Sequence, residues 1–209
     1  MAEAVAAELM SRVAANVDTL VHRLDAAGWR WAYPEMRRCP PDEEDKQAVT
    51  AIENAIGPLP LALRALLLHV GEAWLCGSFP SWSPPAYAFD DLAEYPVMAD
   101  PLVLPSAKWM LQELTGWDTD DWCQPKRPWR FGLAPDEILK AGISGGTLCL
   151  LLPTTDSDPV IENEDWQRAD MTLIAYLRTS LRFAGFPGFE FRKPIPPLVT
   201  ELQRELIPF

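Results

Sequence analysis

This 209-residue sequence is short of histidine and of positive charge, and both shortages restrict the chemistry open to it. There are two histidines, His22 and His69, and 18 Lys plus Arg stand against 30 Asp plus Glu. The formal net charge is −12 and the sequence pI is near 4.6. Nucleic-acid binding needs clustered Lys and Arg to neutralise phosphates, so it is disfavoured. The same charge would steer a basic protein partner toward the chain, although on charge alone solubility is the simpler account. Four cysteines, at 39, 76, 123 and 149, form no Cys-x-x-Cys pair, which argues against zinc. The start, Met1-Ala-Glu-Ala-Val5, is acidic and helical, the reverse of a secretory leader. The expectation is therefore a cytoplasmic chain whose cysteines are reduced and mostly buried. The apolar run Ala65 to Val70 is too short to cross a bilayer. No repeat or long low-complexity tract is present, and no metal or cofactor is expected.

Hydrophobic residues make up 48% and charged residues 23%, the proportions of a globular protein with a core. Nine Trp and 21 Pro stand out. Nine indoles in this length exceed what a central core takes, so some are expected at a cleft or contact surface. Trp74 and Trp129 sit in strand-like runs and read as core.

Residues 3 to 26 predict an amphipathic helix with Val5, Leu9, Val13, Val17, Leu20 and Leu24 as its apolar stripe and Gly28 as its stop. A polar turn from Cys39 to Asp45 leads into a helix over 43 to 56, with acids in its first turn. Ile52 and Ile56 share one face of that helix, and Gly57 ends it. Pro58-Leu-Pro60 then opens a Leu-rich core helix, Leu61 to Val70, that stops at Gly71.

Short strands are expected over 73–76, 100–104 and 129–133, and the strongest strand signal is Thr147 to Leu152. Helices are expected over 106–115, 135–141, 166–184 and 197–207. Prolines bar a central strand from the aromatic loop Phe79 to Tyr87. Helical blocks separated by short strands indicate an α+β fold, a small, mostly antiparallel sheet packed by helices with an added N-terminal helix. Residues 1–40 read as that helical extension and 41–209 as the main domain.

Few residues invite catalysis. Gly142-Ile-Ser144-Gly-Gly146 fits the Gly-x-Ser-x-Gly pattern, but a nucleophile elbow needs a strand entering and a helix leaving. Here the order is reversed, so the segment reads as a helix end and a glycine turn into the sheet. A Ser–His–acid relay would need His22 or His69, and both fall on helices. His22 reads as solvated and His69 as a helix-terminal residue favoured by the dipole. The acid runs Asp118, Asp120, Asp121 and Asp156, Asp158, Glu162, Glu164, Asp165 lack the spacing of a calcium loop. Such runs usually form a solvated face, and a functional one would be a negative surface with aromatic anchors for a Lys- and Arg-bearing partner.

Taken in order, Ile52-Glu53 to Gly57, Leu59-Pro60, and the Leu-rich helix ending Val70-Gly71-Glu72 resemble the signature of the SUKH superfamily. Phe131-Gly-Leu133, the turn 142–146, the strand ending at Pro153 and Asp158-Pro159-Val160 look like its second block. Leu173 to Leu181 with Gly185-Phe-Pro-Gly-Phe189 is similar to its closing helix. The matches run through residues 45 to 190, with helix 3–26 and loop 79–87 as additions.

The resemblance implies an α+β fold without enzymatic activity and, for bacterial members, neutralisation of a toxin by occluding its active site or substrate groove. The acidic charge adds that a basic nuclease or deaminase would suit, because carboxylates mimic nucleic acid. The expected contact surface has Trp82 and Trp122 as anchors, ringed by Asp118, Asp120, Asp121, Asp156, Asp158, Glu162, Glu164 and Asp165. The competing readings are a regulatory or scaffold module with an endogenous basic partner and, more remotely, a Ser144 hydrolase.

Overall fold

Helix α1 spans Ala2–Ala27 and stops at Gly28, which takes φ 82 and ψ 29 and returns its N–H to Asp25 and Leu24 carbonyls. The computed structural model describes residues 1–78, 100–116, 128–135, 147–163, 171–190 and 195–209. The expected stripe of α1 holds from Val13 onward, where Val13, Val17, Leu20 and Leu24 are buried together with Met10, Asn16 and Val21. It fails at the start, since Val5 is 63% exposed.

After β1 (Arg30–Trp31), α2 covers Glu43–Ile56 and buries Asp45, Ala48, Val49 and Ile52. Gly57 ends it at φ 99, ψ 179. The Leu-rich helix expected as one piece has two parts, α3 (Leu61–Ala65) and a π-helical turn over Leu66–Val70. The Gly71 N–H reaches back five residues to the Leu66 carbonyl at 3.1 Å, which widens the last turn by one residue. That widening keeps Leu66, Leu67 and Val70 buried while His69 is turned to solvent. Beside α3, α1 presents the small side chains of Ala4 and Ala7, so Val5 is left on the outer side of its first turns.

Among the described residues the strands form three small antiparallel sets. β1 pairs with β3 (Gly77–Ser78), and β2 (Ala73–Trp74) pairs with β4 (Val103–Leu104). The third is a four-stranded meander of β5 (Trp129–Pro135), β6 (Thr147–Leu152), β7 (Val160–Asn163) and β8 (Met171–Thr172). Helix α4 (Ala107–Gly116) leads toward it. In β6, the successive Leu148, Cys149 and Leu150 are all buried, as is Leu152, the pattern of a strand covered on both faces along most of its length.

Two helix boundaries differ from expectation, each for a local reason. Helix α5 covers Leu173–Arg182 and begins after β8, because Thr172 accepts the Ala175 N–H as its N-cap. Helix α6 stops early, at Pro197–Leu202, and Glu205 beyond it takes φ 57. Pro135 closes β5 instead of opening a helix; residues 136–141 and Ser144 lie outside the described residues.

The segment after α6 runs back along α1 and is held by its main chain. Asn16, only 1% exposed, accepts the Ile207 N–H at 2.7 Å and donates to the Ile207 carbonyl at 2.9 Å. Arg12 donates to the Pro208 carbonyl, Arg178 to that of Phe209, and Arg23 to those of Leu202 and Arg204.

One connected core joins the buried faces of α1, α2, α3 and α5 to the strands, with Phe131, Tyr176, Phe186 and Phe189 among its largest members. Trp129, 3% exposed, is core as expected; Trp74 is only partly buried. The fold is α+β with an N-terminal helix, as the pattern of elements predicts. Cys76 and Cys149 are buried and Cys39 is partly so, while Cys123 lies outside the described residues. His22 is exposed.

Candidate functional site

Of the ten residues expected to form the contact surface, Trp82, Asp118, Asp120, Asp121, Trp122, Glu164 and Asp165 lie outside the described residues. The other three each have a partner within the fold. Asp158 accepts the Ile174 N–H at 3.0 Å, which ties it to the first turn of α5, where backbone donors lack helical partners. Glu162 lies 3.7 Å from the Arg130 guanidinium in a half-exposed pair of small energetic value. Asp156 is exposed and takes a 3.4 Å hydrogen bond from the Thr154 hydroxyl.

The described surface carries a different acidic face, built on the start of α2. Asp42 is the N-cap and accepts the Asp45 N–H at 3.0 Å, while Asp45 accepts the Asp42 N–H at 3.2 Å. This reciprocal capping box makes Asp45 a buried carboxylate, 3% exposed. Its second oxygen accepts the Lys108 N–H at 3.2 Å, so one side chain ties the N-termini of α2 and α4. The Lys108 ammonium completes the junction, 2.8 Å from Asp42 and 3.7 Å from both Glu44 and Asp45. Asp42, Glu43 and Glu44 remain exposed.

A short backbone ladder adjoins this face. Ala32 N–H meets the Cys76 carbonyl and Trp74 N–H meets the Met36 carbonyl, both at 3.0 Å. Cys39 and Glu72 exchange both main-chain bonds, at 2.8 and 3.0 Å. The ladder brings Tyr33 against Trp74, with ring centroids 5.2 Å apart at 73°, and places Glu72 beside them. Burial pushes the Glu72 carboxyl up; the facing Trp74 indole N–H pulls it down and the Asp45 charge raises it again. The Cys39 thiol is raised by burial and then by Glu72. No sequence motif marks this face, and its only signal was Glu72 and Trp74 two apart in an extended run.

Asp42 and Lys108 shift each other in opposite senses. The Lys108 hydrogen bond, then that from the Asp45 N–H, holds Asp42 down at about 2 instead of its ordinary 3.8. Lys108 is raised by the same hydrogen bond. A depressed carboxylate contributes stability that is complete above the unfolded value and lost as pH falls through the folded one. The difference in urea midpoint between the wild type and Lys108→Met is therefore expected to narrow as pH drops from 3.8 toward about 2. A difference independent of pH across that window would show that the pair does not contribute.

A concavity of about 320 Å3 opens between α1 and α3, with Ala4, Ala7, Ala65 and Leu68 in its wall and Glu3, Arg64 and His69 among its polar lining. It offers an imidazole and a carboxylate but no hydroxyl or thiol. Among the described residues no group of His, Cys, Asp and Glu is arranged to hold a metal ion, and no helix is long and apolar enough to cross a membrane. No protein-family model, curated protein or solved structure matches the chain.

Proposed function

We propose that this chain is a non-enzymatic protein-binding module, an immunity protein acting in the cytoplasm that neutralises a basic bacterial toxin by occluding its active site. The SUKH-like order of motifs suggests the role, and the net charge of −12 suggests the sign of the partner. The observation that carries the reading is the face at the start of α2. There the exposed Asp42, Glu43 and Glu44 adjoin Glu72, Tyr33 and Trp74, acids beside aromatic anchors, as a basic protein surface would require.

The test is co-purification of the tagged chain with the product of the neighbouring open reading frame, at low and at high salt. A stoichiometric, salt-sensitive complex that abolishes the neighbour's toxicity is the expected outcome. Neither complex nor protection would favour a regulatory module with an endogenous partner. Glu43→Gln combined with Glu44→Gln is expected to slow association about threefold to tenfold and to flatten its salt dependence, because rim charges act chiefly on the approach. Unchanged association kinetics would move the interface elsewhere.

A further inference from the structure

We infer that Tyr33, Trp74 and Glu72 form a receptor for a single basic side chain, a lysine or arginine presented by a protein partner. The three residues come from two segments locked by the ladder between residues 32–39 and 72–76. Glu72 and Trp74 are two apart in extended backbone, so both project from one face. Tyr33, 39% exposed, meets Trp74 near edge-on, leaving ring surface open to solvent.

Two observations point to a cation. Glu72 is partly buried, yet among the described residues no Lys, Arg or His lies within ion-pair distance of it. The one cation whose charge bears on it, Lys108, is held by Asp42 at 2.8 Å. A partly desolvated carboxylate without a counter-charge is unfavourable until one is supplied. The neighbouring indole shows the contrast. Trp31 carries the Arg37 guanidinium 5.9 Å from its ring centre, and Arg37 lies 3.6 Å from Asp25. The chain thus supplies Trp31 with a cation and a carboxylate of its own, while Tyr33, Trp74 and Glu72 have the rings and the carboxylate but no paired cation among the described residues. Aromatic faces attract ammonium and guanidinium groups within about 6 Å, and more strongly where water is partly excluded.

The site draws on the protein-binding reading only for the source of the cation, so its test uses a short peptide. The intact chain, labelled with 15N, would be titrated with acetyl-Gly-Lys-Gly-amide, following the indole N–H resonance assigned to Trp74 by Trp74→Phe. The same peptide acetylated on its lysine, and tetramethylammonium, would serve as the neutral and the free-cation arms. The lysine peptide is expected to shift the Trp74 resonance saturably and the neutral peptide not at all; a smaller shift with tetramethylammonium marks the ring contribution.

Glu72→Gln is expected to weaken binding about fivefold to tenfold and Tyr33→Leu about threefold, with salt weakening the wild type alone. Glu72→Gln keeps an oxygen for the Trp74 indole N–H to face, and its urea midpoint is measured alongside so that lost binding is separated from lost fold. Equal shifts from the neutral peptide, or affinity indifferent to Glu72→Gln, would overturn the inference. Peptide binding without toxin neutralisation would sink the immunity reading and leave this site standing; neutralisation unaffected by both variants, with no peptide binding, would do the reverse.

Discussion

Gly71→Ala is expected to lower the unfolding free energy by about 2–6 kcal/mol, the sum of backbone strain and overpacking. Gly71 sits at φ 75, ψ −154, a region that residues with a Cβ essentially avoid. An added methyl would also stand 2.6 Å from the Cys39 carbonyl oxygen and 2.8 Å from Pro41. Those atoms have little room to retreat, because Cys39 is fixed to Glu72 by two main-chain hydrogen bonds. Gly57 provides the control. It has a comparable backbone at φ 99, ψ 179, but a methyl added there would meet nothing within 4 Å. Gly57→Ala should therefore show the strain alone, about 1–3 kcal/mol. Urea unfolding of the two variants separates the effects; equal losses would mean that the Cys39–Pro41 turn yields.

Asp45→Ala is expected to cost about 2–4 kcal/mol, because it strands two backbone donors in a poorly hydrated junction. The carboxylate serves the Asp42 N–H, the Lys108 N–H and the Lys108 ammonium, and water replaces it badly at a position 3% exposed. Asp45→Asn should recover part of the loss: its amide oxygen accepts one N–H while its NH2 group faces the other donor. The predicted order of midpoints is wild type, Asn, then Ala. An Ala variant losing less than about 1 kcal/mol would show that the α2–α4 junction does not depend on this residue. Both variants would weaken the acidic face by loosening its support, so binding measurements on them need the stability data beside them.

The sequence made some features legible and hid others, and the division follows the range of the interactions involved. Gly28, Gly57 and Gly71 were readable as helix ends because a positive φ is a local demand with few chemical solutions. The acids opening α2 were readable for the same reason. The π turn was not, because its single extra residue follows from packing Leu66, Leu67 and Val70 against other elements. Thr172 as the start of α5 was obscured because the run from 166 to 184 reads as one continuous helix. Trp74 read as part of a buried strand over 73–76; that it is only partly buried, with Glu72 beside it, depends on residues 32–39 crossing from about 40 positions away. The acid runs drew attention by composition, yet Asp158 and Glu162 are engaged within the fold, as helix support and cross-strand partner.

The grip on the segment after α6 has an evolutionary consequence. Arg12, Asn16, Arg23 and Arg178 address carbonyls and one N–H, groups that every residue but proline offers alike. The tail's outward side chains, such as the 43% exposed Ile207, are thus released from the duty of holding the tail in place. An exposed side chain there can change without loss of these bonds, whereas Leu206 and Phe209 also pack against the core. Proline at position 207 is the exception, since it removes the N–H that Asn16 accepts.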